Sequence, residues 1–189
     1  DGLRFLGFNA DKPVILIMGG STGSVFVNNA VRESLNTLLK EFQVAHLCGK
    51  GNLDESLEGT AGYAQYEYVS DDLKDFFAMT DIVISRAGVS RAGANSIFEL
   101  LALNKPNILI PLSANASRGD QILNAQSFEK QGFSTVLEEE SLTAKTFIST
   151  VRNVYARRAD IIHTMENRGQ IDSITCIVDL IEEVAKKEK

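Results

Sequence analysis

The sequence predicts an α/β protein: an open, doubly wound parallel sheet of about six strands, Rossmann-like, with helices on both faces. Three observations carry that expectation. Short apolar runs rich in β-branched residues recur, among them PVILIM (Pro13 to Met18), DIVIS (Asp81 to Ser85) and NILIPL (Asn107 to Leu112). PVILIM is apolar throughout rather than alternating, as a strand buried on both faces is. Stretches of helical periodicity separate the runs, and strand–helix–strand alternation implies parallel pairing through right-handed crossovers. The 189 residues, 44% of them hydrophobic, are enough for one well-buried core.

The elements follow in order. PVILIM ends in glycines, as a strand entering a ligand loop does. From Val25 to Phe42, apolar residues recur at helical spacing: Val27, Val31, Leu35, Leu38, Leu39 and Phe42. A second strand, QVAHLC, precedes a loop rich in glycine and acidic residues, and QYEYV follows as a third. Ser70-Asp71-Asp72 reads as the N-cap and first turn of a helix through Met79. Next come DIVIS, a helix from about Asn95 to Leu103, and NILIPL, which Pro111 closes. A helix from Asp120 to Gln131 and a last strand, FSTVL, complete the alternation, and the chain from Ser141 onward reads as helices. Residues 1–12, which open without an initiator methionine, are expected to be a linker. Residues 13–157 are expected to form the Rossmann-like domain, with the helices of 158–189 packed on it.

Composition excludes several classes. A net charge of −6 and a pI near 5.0 argue against nucleic acid, whose phosphates need clustered Lys and Arg. The two basic pairs, Arg157-Arg158 and Lys186-Lys187, read as solvated helix faces. Cys48 and Cys176 sit in apolar runs and read as buried free thiols of a reducing compartment. With only His46 and His163 beside them there is no zinc pattern, and no metal or other cofactor is expected. His46-x-Cys48 would share one strand face as core filler. No apolar run reaches the roughly 18 residues of a membrane span, and no signal peptide is visible.

In such sheets ligands bind beyond the carboxyl ends of the strands, which directs attention to five loops: GGSTGS, CGKGN, VSDD, SRAGVSRAGAN and PLSANASRGDQ. In the first, Gly20 and Ser21 lie where backbone can approach a ligand and helix-start amides suit a phosphate. It is neither a P-loop nor G-x-G-x-x-G, and a tight turn needing small residues fits it as well. The second strand closes Cys48-Gly49-Lys50, without the acidic residue that holds the ribose of NAD, which disfavours a dinucleotide. Glu99 falls in the first turn of its expected helix. There Ser96-Ile97-Phe98-Glu99 fits a capping box, and a carboxylate accepting from ribose hydroxyls fits the same place. Asp120, Gln121 and Asn124 open the next helix. Gln121 and Asn124 can share a face and bind sugar hydroxyls, or simply cap and solvate the helix. No Ser-His-Asp or Cys-His arrangement emerges, neither histidine lies in a rim loop, and no catalytic base is identified.

Six motifs occur in order across essentially the whole chain: GGSTGS, HLCGKGN, TDIVISRAG, AGANSIFELLAL, KPNILIPL and SRGDQILNAQSF. In them the chain resembles the C-terminal half of the MurG family in its Gram-positive version. These GT-B glycosyltransferases move N-acetylglucosamine from UDP-N-acetylglucosamine to lipid I, giving lipid II of peptidoglycan. The resemblance implies a donor-binding domain, with Ser21 and Gly20 near the diphosphate and the backbone of Ser70 at the uracil. It puts Ala94, Asn95 and Ser96 in the loop and helix start at the donor, with Glu99 as the ribose carboxylate. Gln121 matches the residue that reads the sugar. Asp120 stands where other members carry a second glutamine, and Asn124 lies one turn on.

The reaction so implied is inverting: the C4 hydroxyl of the lipid-linked N-acetylmuramoyl group attacks the anomeric carbon and UDP leaves. Acceptor site, membrane-facing patch and base are implied to belong to an N-terminal domain that is not in this chain. The expected partners are therefore UDP-N-acetylglucosamine and, through that domain, undecaprenyl-linked lipid I at the inner face of the bacterial cell membrane, held peripherally. The half alone is expected not to turn over. A stand-alone subunit borrowing its acceptor half from a membrane partner, and a non-catalytic nucleotide-binding module, are the alternatives. The family pattern has one Ser-Arg-Ala-Gly where this chain has two, so VSRAG (Val89 to Gly93) reads as an extra stretch of loop. Lengthening a loop is cheap, roughly 0.6 kcal/mol per doubling.

Overall fold

Each apolar run becomes a strand. In the computed structural model, which describes residues 6–20, 22–69, 73–87, 92–113 and 120–168, strands and helices alternate. The first half holds β1 (Val14–Met18), α1 (Val25–Leu38), β2 (Gln43–Leu47), β3 (Tyr63–Tyr66) and α2 (Leu73–Met79). The second holds β4 (Ile82–Ala87), α3 (Ala92–Ala102), β5 (Asn107–Pro111), α4 (Asp120–Lys130) and β6 (Ser134–Val136), followed by α5 (Ala144–Ala156) and α6 (Arg158–Asn167). The six strands are all parallel, in the order β3-β2-β1-β4-β5-β6. From β1 the chain first builds outward through β2 and β3, then returns to build the other way from β4. The neighbouring β1 and β4 therefore mark the switch point of the sheet.

Successive strand residues point to opposite faces, and both faces are buried. On one, Ile15, Ile17, Ile82, Ile84, Ile108 and Ile110 lie under α1 (Val27, Val31, Leu35, Leu38), α5 (Phe147, Val151, Val154) and α6 (Ile161, Met165). On the other, Val14, Leu16, Ala45, Leu47 and Val83 meet Phe76 and Phe77 of α2 and Leu100 of α3. Leu109 meets Ile97 of α3 and Ala125 of α4 on that face. Residues 6–12, expected as linker, lie against the domain: Phe8 is buried in the second layer, and the Gln43 amide donates to the carbonyls of Asn9 and Lys12 at 2.9 Å each.

Three elements differ from the expectation. β3 starts at Tyr63 rather than Gln65, because Gly62, at φ +79°, turns the chain into register with Val44 of β2. α1 stops at Leu38, and Phe42 leaves the helix yet still packs edge-on against Tyr155 at 5.3 Å. The third difference concerns the site. α3 begins at Ala92, inside the second Ser-Arg-Ala-Gly copy, so part of the duplicated stretch is helix rather than loop. Glu99 is therefore not in the first turn but at the end of the second, about 10 Å along the axis at 1.5 Å per residue. A capping box needs its serine outside the helix. Ser96 is inside it, which removes that reading of Ser96 and Glu99. Ser70, Asp71 and Asp72, the expected cap of α2, lie outside the described residues, as does Cys176.

Candidate functional site

Because every strand is parallel, α1, α3 and α4 all start at the carboxyl edge of the sheet, after the neighbouring strands β1, β4 and β5. α1 covers one face and α3 and α4 the other. The chain thus parts at the β1–β4 boundary, between the starts of α1 and α3, which is where this architecture places its ligand crevice.

One wall is the turn from β1 into α1. Gly19 donates to the carbonyl of Leu47 at 3.0 Å, and Gly23 to that of Gly20 at 3.1 Å. Gly20 and Gly23 sit at φ +84° and +75°, the left-handed region that favours glycine. A β-carbon on Gly23 would stand 2.2 Å from the carbonyl oxygen of Cys48, and one on Gly49 2.2 Å from the Gly23 nitrogen. The turn is therefore pressed backbone to backbone against the loop after β2, and the glycines of GGSTGS and CGKGN answer to each other. Ser24 caps α1, its hydroxyl accepting from the Val27 amide at 3.3 Å. The amides of Val25 and Phe26 have no acceptor within the helix, and with the helix dipole this is the kind of helix end that suits an anion.

A buried polar relay fixes this wall from behind. Asn28 donates through Nδ2 to the carbonyl of Cys48 at 2.9 Å. Its Oδ1 is then left to accept, and it lies 3.0 Å from Nε2 of His46. His46 must carry its proton on Nε2, which leaves Nδ1 to accept from the Tyr63 hydroxyl at 2.9 Å. The ring is fully buried. Desolvation, with the Arg32 charge nearby, drives its pKa down to about 3, so it stays neutral. Burial likewise pushes the Tyr63 hydroxyl up to about 12 and raises the Cys48 thiol. His46 and Cys48 are buried, as expected of core residues, and His46 is also a hydrogen-bonded tie between α1, β2 and β3. Among the described residues no group of His, Cys, Asp and Glu could hold a metal ion, and no helix is long and apolar enough to cross a membrane.

The remaining candidates lie on α3 and α4. Ala94, Asn95 and Ser96 lie in the first turns of α3, and Glu99, exposed, lies further along it. Asp120 is the first residue of α4, followed by the half-buried Gln121 and the exposed Asn124. Gln121 and Asn124, three apart, share a helix side as the spacing requires. Gly20 is in the turn of the first wall, whereas Ser21 and Ser70 lie outside the described residues. Sequence reasoning missed Asn28, Arg86 and Glu139. Asn28 had a signal, a polar residue directly beside the apolar Val27–Val31 stripe. Arg86 had one too, a charge continuing a buried strand, and Glu139 had none.

Comparison with known proteins adds the family. Residues 14–181 match the model described as the glycosyltransferase family 28 C-terminal domain. A relative from Lachnospira eligens is 57% identical over 185 residues, covering 98% of this chain and 51% of its own length. One from Lachnoclostridium phytofermentans is 57% identical over 186 residues, with the same shares. Both are named UDP-N-acetylglucosamine--N-acetylmuramyl-(pentapeptide) pyrophosphoryl-undecaprenol N-acetylglucosamine transferase. The chain thus spans about half the length of the curated relatives it matches. Among solved structures, Acinetobacter baumannii MurG superposes with a TM-score of 0.69 at 22% identity, over 93% of this chain and 51% of that one. A kitacinnamycin glycosyltransferase does so at 0.68 and 18%, over 91% and 43%. At those identities they speak for the fold alone, which is the GT-B half.

Proposed function

Since the chain belongs to the glycosyltransferase family 28 C-terminal domain family, matched over residues 14–181, we propose that it binds the nucleotide-sugar donor, UDP-N-acetylglucosamine. The observation that supports the reading is the switch point of the sheet, where α1 and α3 both start at the carboxyl edge after the neighbouring strands β1 and β4, with the glycine turn and the first amides of α1 beside it. The diphosphate lies at the glycine turn, Gly20 and Ser21, and at the first amides of α1. Those amides and the helix dipole stabilise the charge that develops on UDP as it leaves. Across the crevice, Ala94, Asn95 and Ser96 line the donor and Glu99 accepts from the ribose hydroxyls. Ser70 meets the uracil through its backbone. Gln121, flanked by Asp120 and Asn124, reads the hydroxyls and acetamido group of the sugar, for which a side-chain amide both donates and accepts.

In the longer protein this half delivers N-acetylglucosamine to the acceptor in its relatives' name, an undecaprenyl-linked N-acetylmuramyl pentapeptide. The rest of that protein supplies the acceptor site and the base, peripherally on the inner face of the cell membrane. Residues 13–157 form the donor domain, and α6 packs on it through Ile161 and Met165, while residues 169–189 lie outside those described. Amide NMR tests the site. Titrating UDP-N-acetylglucosamine is expected to shift the resonances of 19–26, 94–99 and 120–124 while leaving α5 and α6 in place. Shifts centred elsewhere, or equal shifts with NAD, would contradict the reading.

A further inference from the structure

Arg86 and Glu139 stand behind the crevice and are not among the candidate ligands. Arg86 lies in β4, at the switch point, its side chain 18% exposed. One guanidinium nitrogen, Nη1, donates to the carbonyl of Gly23 at 3.5 Å. The other, Nη2, donates to Oε1 of Glu139 at 3.3 Å. The second oxygen of Glu139, itself only 10% exposed, accepts from the Ser113 amide at 3.4 Å, just past β5. One ion pair thus links the glycine turn after β1, the end of β4, the segment after β5 and the short turn after β6.

We infer that Arg86 and Glu139 form a strut that orients the glycine turn, making them positioning residues for a nucleoside diphosphate; this rests on the donor reading above. The geometry gives the reason. The peptide joining Gly23 to Ser24 is planar and trans, so its carbonyl and its amide point opposite ways. Holding the Gly23 carbonyl toward Arg86 aims the Ser24 amide, at the start of α1, away from it. A second feature separates this arrangement from a purely stabilising one. Arg86 Nε is buried with no hydrogen-bond partner, and buried ion pairs contribute little net stability when their donors are not all met. The guanidinium is held where the turn needs it rather than where its own hydrogen bonds are best.

The test exploits a conflict of sign. Removing Glu139 leaves a net positive charge beside the crevice, which alone would tighten an anion. Loss of the strut loosens it. The chain is titrated with UDP and with uridine, which lacks the phosphates, in the wild type, Glu139→Ala, Glu139→Gln and Arg86→Lys, with amide NMR as the readout. The strut predicts that Glu139→Ala weakens UDP by about tenfold while uridine changes less than about twofold, the size of one charge-assisted contact. Arg86→Lys, with its charge kept and its fork lost, behaves like Glu139→Ala. Glu139→Gln, whose oxygen still accepts from Arg86, stays within about threefold of the wild type. UDP binding that is unchanged or tighter in Glu139→Ala overturns the inference, as does an equal loss for UDP and uridine. Glu139 is itself largely buried, so urea unfolding is followed beside each titration, and Arg86→Lys, which keeps the charge, decides the matter where Glu139→Ala does not fold. A wild type that binds no UDP overturns the donor reading, and the strut with it.

Discussion

Gly49 and His46 show how single residues set the site. Gly49 sits at φ +87° with the Gly23 backbone where its β-carbon would be. Gly49→Ala therefore meets both a strained backbone and a clash between main chains that no rotamer relieves. It is expected to destabilise the domain by about 1–3 kcal/mol or more and to displace the turn, read as a lower urea midpoint and weaker UDP binding. Gly51→Ala, with φ +75° but open space around it, is the control for backbone strain alone. His46 gives a pH dependence. Its folded pKa lies below that of the unfolded chain, so the folded state binds fewer protons. Its contribution is complete above about pH 6.5 and is lost toward pH 3, with a slope of up to about 1.4 kcal/mol per pH unit. Urea unfolding at pH 7.5, 6 and 5 is expected to show this fall and His46→Gln to flatten it. A slope that survives the substitution would refute the neutral, buried ring. The burial of His46 was legible from its apolar run. Its tautomer was not, because that follows from Asn28, eighteen residues earlier and on another element.

Among the elements, strands were the easiest to read and helix starts the hardest. A strand buried on both faces announces itself by an unbroken apolar run, and Val14–Met18 and Asn107–Pro111 fall within a residue of their expected bounds. The start of α3 was misplaced because Ser96-x-x-Glu99 has the letters of a capping box. Whether those letters cap depends on where the preceding backbone leaves the helix, and here Ala92 and Gly93 already continue it. Glu99 is thereby exposed within the helix rather than consumed at its end, which leaves its carboxylate open to the proposed ribose role. The α1–α5 contact offers the stability test at this scale. Phe147 is fully buried between α5 and the sheet, so Phe147→Ala is expected to cost about 3–5 kcal/mol in urea unfolding. Leu123→Ala, on the exposed side of α4, is expected to stay within about 0.5 kcal/mol of the wild type.

For the whole molecule, alternation in the sequence predicts a parallel sheet but not its order. The arrangement β3-β2-β1-β4-β5-β6 depends on which helix covers which face, a property of packed elements such as α1 with α5 rather than of any one segment. That order makes the crevice, because only where building reverses do neighbouring helices start on opposite faces. The acidic balance of the chain, −6 overall, is compatible with the proposed diphosphate site, which draws on amides and a helix dipole rather than clustered Lys and Arg. The most direct measurement of the central claim is calorimetric titration of the chain with UDP-N-acetylglucosamine, UDP, UDP-glucose and NAD, beside Glu99→Ala and Gln121→Ala. Binding of the first two is predicted, tenfold or more weaker for both in Glu99→Ala (about 1.4 kcal/mol or more). Gln121→Ala should narrow the preference for UDP-N-acetylglucosamine over UDP-glucose. No uridine nucleotide binding, or binding that Glu99→Ala leaves unchanged, would contradict the account.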